Sequence, residues 1–191
     1  MRFSGAGGQG VILSSVLLAK AYGIGEDYNI SQTQSYGPEA RGGACKAEVV
    51  VSDENIDYIK VDNADVFIAF NQMGYDKYRS RVNENSIVLI NSTLVETEDE
   101  DVYSIKATDI AEGMGKPFVV NMVMLGALTK LLPKIYYPTV EAEIMENFPA
   151  SIAGANLDAY NTGYRYMEKE IEKNEEKWRK MLDKIFSGGY F

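Results

Sequence analysis

The chain has 191 residues, one cysteine (Cys45), no histidine and a net charge of −9 from 28 acidic and 19 basic side chains. That length makes one ordinary domain, with or without an appendage, whose folding buries roughly 70% of the unfolded surface. One thiol and no imidazole exclude an internal disulfide, a cysteine-based zinc site or four-cysteine iron–sulfur cluster held by this chain alone, and Ser-His or Cys-His nucleophilic pairs, while the acidic balance argues against nucleic-acid and anionic-membrane partners.

In chain order, residues 1–4 form a short apolar entry, the end of a first strand. The loop "GAGGQG" (5–10) follows, and then "VILSSVLLAKAYG" (11–23), where Val11, Leu13, Leu17, Leu18 and Ala21 share a broad buried helical face ending at Gly23. "YNISQTQS" (28–35) and "ACKAEVVVS" (44–52) read as strands, open to antiparallel pairing, around the loop "YGPEARGG" (36–43). "ADVFIAF" (64–70) and "SIVLI" (86–90) are short, nearly continuous apolar runs of the kind covered on both faces, with "YDKYRSRV" (75–82) helical between them. The acidic stretch "ETEDED" (96–101) reads as a solvated loop before a strand in "VYSIKA" (102–107). "NMVMLGALTKLL" (121–132) is a helix stopped by Pro133.

The last segment, "RYMEKEIEKNEEKWRKMLDKIF", places Met167, Ile171, Trp178, Met181, Leu182, Ile185 and Phe186 at helical spacing, with Glu175–Arg179 and Glu176–Lys180 as i,i+4 pairs. It packs on its own domain or docks on another subunit; both readings stay open. The expected division is a main domain over 1–165 and an amphipathic C-terminal helix over 166–191. No apolar run reaches the ~18 residues needed to span a bilayer and no signal peptide is evident, so the expected location is cytoplasmic. Strands alternating with helices predict an α/β fold: a three-layer α/β/α domain with a mixed, mostly parallel sheet.

Gly5, Gly7 and Gly10 have the spacing of a dinucleotide loop, in which glycines permit a tight strand-to-helix turn and leave a helix N-terminus facing an anion. A dinucleotide site also needs an acidic residue ~20 positions on, at the end of the second strand, to hold the ribose hydroxyls. Here that strand ends in "SQTQSY", and Glu26 and Asp27 precede it. The dinucleotide reading loses ground; a close-packed turn and a phosphate-bearing ligand both survive. In the second loop, Pro38 fixes φ, Gly37, Gly42 and Gly43 free the backbone, and Glu39 and Arg41 place opposite charges two positions apart. Such a loop is a hairpin connection with a surface ion pair, or it aims the Arg41 fork at a carboxylate or phosphate with Glu39 orienting it.

Together, "FSGAGGQGVI" and "QTQSYGPEARGGACKAEVVVSDENI" (32–56) resemble the gamma subunit of the 2-oxoacid:ferredoxin oxidoreductases, and "ADVFIAFNQMGYDKY" and "SIVLINSTLV" continue the resemblance to about residue 130. "GGQGVIL" with "TQSYGPEARGG" is more similar to the 2-oxoglutarate type than to the pyruvate type, whose second motif is expected to carry two arginines followed by Gly-Ala-Pro; the indolepyruvate type is the nearer rival. The resemblance implies a subunit of a complex that oxidatively decarboxylates a 2-oxoacid, passes the acyl group to coenzyme A and sends two electrons through iron–sulfur clusters to ferredoxin. Thiamine diphosphate then belongs between alpha and beta subunits, and the clusters on other chains, with a delta, ferredoxin-like subunit in some complexes. On this resemblance the chain would support the active site, carry no catalytic residue and be inactive alone. The implied ligand- or interface-binding residues are Gly5, Gly7, Gly8, Gln9, Gly10, Tyr36, Glu39, Arg41 and Gly42. Gln9 and Arg41 would contact an anion such as the coenzyme A phosphates, Glu39 would orient Arg41, and Tyr36 would pack at a subunit seam. A rival of another class is a free-standing nucleotide-binding or regulatory domain that uses the glycine loop alone.

Overall fold

In the computed structural model, residues 1–35, 44–176 and 179 are described. Apolar alternation on short strands builds one six-stranded sheet in the order β2-β3-β1-β4-β5-β6. The strands are β1 (Arg2–Gly5), β2 (Asn29–Ser35), β3 (Cys45–Ser52), β4 (Ala64–Ala69), β5 (Val82–Asn91) and β6 (Tyr103–Ile105). β1 lies between β3, to which it is antiparallel, and β4, to which it is parallel; β4, β5 and β6 continue in parallel. Because β2 is antiparallel to β3, it runs the same way as β1, and β3 is the one reversed strand.

Successive residues of the central strands face opposite layers. Phe3, Val66, Ile68, Ile87 and Leu89 point into the larger core, beneath α1 (Val11–Lys20), α3 (Ala107–Gly113), α4 (Val120–Leu131), α5 (Tyr137–Asn147) and α6 (Ala150–Lys173). Phe67, Ala69, Val88 and Ile90 point the other way, beneath Tyr75 and Tyr78 of α2 (Gln72–Tyr78). The layers are unequal: among the described residues the second holds one short helix, which leaves the β2–β3 flank uncovered.

Several boundaries differ from the sequence expectation. The α-helical part of 11–23 stops at Lys20 and widens into a π-helical turn, Ala21–Gly25, which buries Tyr22 with its hydroxyl donating to the Pro133 carbonyl at 3.2 Å. The helix expected over 75–82 begins earlier and ends earlier: α2 is followed by one 3₁₀ turn, Arg79–Arg81, and β5 starts at Val82. The polar run Asn83, Glu84, Asn85 disguises that strand start, which pairs irregularly with Ala64. The strand expected in 102–107 is three residues long.

α5 and most of α6 carried no expectation. α6 is continuous through residues 165 and 166, and Met167 is buried in the main core. It crosses α4 at two reciprocal glycines: a Cβ on Gly126 would lie 1.9 Å from the Tyr160 carbonyl oxygen, and one on Gly163 would lie 2.0 Å from that of Val123. Glu175 and Arg179 form the expected exposed i,i+4 pair at 3.3 Å. Trp178, Met181, Leu182, Ile185 and Phe186 lie outside the described residues. Among the described residues, no helix is long and apolar enough to cross a membrane.

Candidate functional site

Chain direction places a crevice at the carboxyl end of β1 and β4. From β1 the chain passes through α1 toward β2 on one flank; from β4 it passes through α2 to β5 on the other. Loops that diverge from adjacent parallel strands leave a gap between them, the usual ligand position in open α/β sheets. The glycine loop occupies one side of this gap. Phe70 and Asn71 occupy the other, with the Phe70 N–H donating to the Ser4 carbonyl at 2.8 Å.

Each side is built from close backbone approaches. A Cβ on Gly5 would lie 2.7 Å from Gln9 Oε1 and 2.8 Å from Phe70 Cβ, so only glycine closes the turn. Gly8 and Gly10 have φ of 89° and 73°, in the left-handed region. Gly74 of α2 seats against the end of β1, where a Cβ would lie 2.7 Å from Ser4 Oγ. Gly7 and Gly8 are exposed at the rim.

Gln9 has an internal duty. Its Oε1 accepts from the Ala6 N–H at 2.7 Å and from Asn71 Nδ2 at 3.0 Å, pinning the glycine loop across the gap to the start of α2. A ligand would therefore meet only the amide nitrogen of Gln9. The Asn71 Oδ1 caps α2 by accepting the Gly74 N–H at 2.9 Å. At the next strand end, buried Asn91 donates to the Phe70 carbonyl at 3.3 Å and to Thr108 Oγ1 at 2.9 Å.

The start of α1 is the electropositive element of the crevice. Its N-cap is Gly10, no side chain caps it, and its first turn holds no acidic residue, so the helix itself supplies nothing to offset its dipole and unsatisfied N–H groups. Against Gly10 sits Asn121, at the beginning of α4 and only 5% exposed; a Cβ on Gly10 would lie 2.4 Å from its Nδ2. Its backbone carbonyl accepts from Ser14 Oγ at 3.3 Å, while its carboxamide has no hydrogen bond among the described residues. An amide in a nearly buried residue that bonds no other described residue, beside a helix start without a side-chain cap, suits an anionic or carbonyl oxygen.

Tyr36, Glu39, Arg41 and Gly42 lie outside the described residues, but the ends of their loop are fixed. Gly5 pairs with Cys45, and Ser35 pairs with Lys46. Both ends of the second motif therefore emerge beside the end of β1, at the same sheet edge as the glycine loop. Cys45 is buried, and burial pushes its thiol above the usual range despite backbone hydrogen bonds that oppose the shift, so it stays protonated and unreactive near neutrality. No group of three or more Cys, Asp or Glu able to hold a metal occurs among the described residues.

β3 also accounts for the failed ribose test. In a dinucleotide fold the second parallel strand adjoins the first; here β3 separates β2 from β1, putting them about 9.6 Å apart, twice the usual spacing. Sequence reading missed Asn71, Asn91, Asn121 and Gly74. The first was findable, because an asparagine between an apolar strand and a helical run is an N-cap signature. Asn121 reaches Gly10 only through tertiary packing.

The family described as pyruvate ferredoxin/flavodoxin oxidoreductase matches residues 1–166. A 2-oxoglutarate synthase subunit KorC from Methanocaldococcus jannaschii is 44% identical over 177 residues, 90% of this chain and 94% of that protein. Among solved structures, the keto/oxoacid ferredoxin oxidoreductase gamma subunit from Geobacter sulfurreducens superposes with a TM-score of 0.78 at 33% identity, covering 88% of this chain and 97% of that one. A 2-oxoglutarate:ferredoxin oxidoreductase from Magnetococcus marinus, solved with 2-oxoglutarate, coenzyme A and succinyl-CoA bound, has a TM-score of 0.78 at 25% identity over 88% of this chain and 30% of that longer one. A match through nearly the whole sheet and both loop motifs is a match of the entire domain, and the chain belongs to the pyruvate ferredoxin/flavodoxin oxidoreductase family.

Proposed function

We propose that this chain is the gamma subunit of a 2-oxoglutarate:ferredoxin oxidoreductase, working in the assembled complex beside the subunits that carry thiamine diphosphate and the iron–sulfur clusters. The observation that carries this reading is the likeness to KorC subunits, 44% identical over 90% of this chain and 94% of that protein. The described residues do not fit an iron–sulfur cluster: the one thiol is buried and protonated, and no carboxylates gather around it. They do fit a phosphate. The uncapped start of α1 and the Asn121 amide would hold it, and Arg41 would add its guanidinium from the second motif. The ligand that suits this arrangement is coenzyme A, whose thiol accepts the acyl group made on the other subunits. This chain's part is to bind and orient the carrier.

The test uses the assembled complex purified with its partner chains. Asn121→Ala and Arg41→Ala are each expected to raise the coenzyme A KM about tenfold, with the 2-oxoglutarate KM unchanged and the subunits still associated. An unchanged coenzyme A KM in both variants would overturn the phosphate assignment. Failure of the chain to co-purify with a thiamine-dependent partner would overturn the subunit assignment.

A further inference from the structure

On the side of the sheet away from α1, no helix among the described residues covers the β2–β3 flank, and the side chains of β2 and β3 that share this face near the pocket are polar. Thr33 pairs with Glu48 and Ser35 with Lys46, so these four side chains share that face. They line an open pocket of about 540 Å³ whose outer rim carries Lys60 and Arg81, both exposed and both without an ion pair among the described residues. Its floor is closed. Buried Arg2 donates from Nε to Glu48 at 2.8 Å and from Nη1 to the Arg81 carbonyl at 2.9 Å, and Lys46 Nζ meets the same Glu48 Oε1 at 2.9 Å. Glu48 is therefore neutralised twice; the exposed Asp62 on the same lining offsets one of the two rim cations, and the pocket as a whole, with four basic side chains against two acidic ones, stays positive in a chain of net charge −9. Screening confines each charge's influence to about 8 Å at physiological salt, so a ligand at the mouth feels the net positive lining more than carboxylates elsewhere on the chain.

The pocket runs up to a strand edge. β2 is the outermost strand, and no further strand pairs with its far side among the described residues. Its sequence, NISQTQS, carries no charge and no proline, the devices that ordinarily block edge-to-edge pairing, and its residues are all exposed or half-buried. Its side chains toward the pocket, Thr33 and Ser35, are short.

We propose that this edge receives an acidic, extended segment of a partner protein, which adds a strand to β2 and projects alternate carboxylates over Thr33 and Ser35 to Lys60 and Arg81. Main-chain pairing supplies the seat, and the cation rim selects glutamate or aspartate at every second position. The inference is independent of the glycine-loop reading and involves different residues.

The test uses the full chain and a capped, fluorescent heptapeptide alternating glutamate with threonine or valine, with the lysine-for-glutamate peptide as control. The acidic peptide is expected to bind, to weaken on raising salt, and to lose about tenfold in affinity to Lys60→Glu/Arg81→Glu, while the lysine peptide does not bind. Hydrogen exchange in residues 29–35 is expected to slow in the bound state. No binding of the acidic peptide, affinity unchanged by the double substitution, or unprotected β2 amides would overturn the proposal. So would displacement by equimolar inorganic phosphate, which marks a small-anion pocket. Should the double substitution misfold, Lys60→Ala/Arg81→Ala supports the same comparison, and the exchange measurement needs no variant.

Discussion

Gln9 and Asn71 hold the two sides of the crevice together: one carboxamide oxygen receives Asn71 Nδ2 at 3.0 Å, and Asn71 in turn starts α2 by accepting the Gly74 N–H at 2.9 Å. Gln9→Ala leaves the Ala6 N–H and the Asn71 amide without an acceptor, an expected cost of about 1–3 kcal/mol. Asn71→Ala removes the cap as well and should cost about 0.5–2 kcal/mol. Because the pair shares a bond, the double variant should lose less than the sum, read as Tm shifts of about 2–4 °C per kcal/mol in thermal melts of all three. Strict additivity would show the link to be idle.

The α4–α6 crossing predicts opposite outcomes for glycines in one helix. Gly163→Ala drives a methyl into the Val123 carbonyl, and Gly126→Ala drives one into that of Tyr160, so each should lose about 3 kcal/mol or fail to accumulate as soluble protein. Gly154→Ala, exposed in α6 with nothing within 4 Å of the new methyl, should gain about 0.5–1 kcal/mol. Denaturant midpoints decide the matter, and equal effects at 154 and 163 would contradict the close crossing.

The acidic stretch is an anchored loop. Asp99 accepts from Arg79 Nε at 2.7 Å and from the Asp101 N–H at 3.0 Å, beside Tyr75 and Thr97. Burial alone would push the Asp99 carboxyl up, but the Arg79 guanidinium and the Asp101 amide hold it below the usual carboxylate range. A carboxyl with a lowered folded value stabilises the protein above its unfolded value and loses that contribution as pH falls through the folded one. Asp99→Asn should thus cost up to about 1 kcal/mol at pH 7, and the difference from wild type should shrink as pH falls through and below the usual carboxylate range, as paired melts from neutral to acid pH would show.

Arg2 and Glu48 are both nearly fully buried, and Arg2 also serves the Arg81 carbonyl. Glu48→Leu strands a guanidinium in the interior and should cost about 3–5 kcal/mol, far more than Lys46→Met at the half-buried end of the same cluster. Urea unfolding separates the two, and comparable losses would show that Arg2 does not depend on Glu48.

Residues whose role is fixed by neighbours in sequence were readable in advance. The glycine turn, the apolar strands 64–70 and 86–90 and the antiparallel pairing around 36–43 follow from local period and turn chemistry. The π turn at Ala21–Gly25 was not, because part of what packs against it lies far along the chain: a Cβ on Gly25 would lie 1.9 Å from Thr139 Cγ2. Nor was α5, whose first turn leans on Glu26, with the Thr139 hydroxyl donating to Glu26 Oε1 at 2.6 Å. In the crevice, local spacing revealed the glycines, while Asn121 is brought there by a helix more than a hundred positions later.

The place of β1 in the sheet has a consequence for assembly. Its two neighbours, Cys45–Ser52 and Ala64–Ala69, both come much later in the chain, so Phe3 has no strand to lean on while those segments are still being synthesised. The middle of the sheet is therefore closed late, by contacts of long sequence separation, and folding should be slow relative to a helical protein of this size. During that interval an early apolar segment stands open to the cell's chaperones.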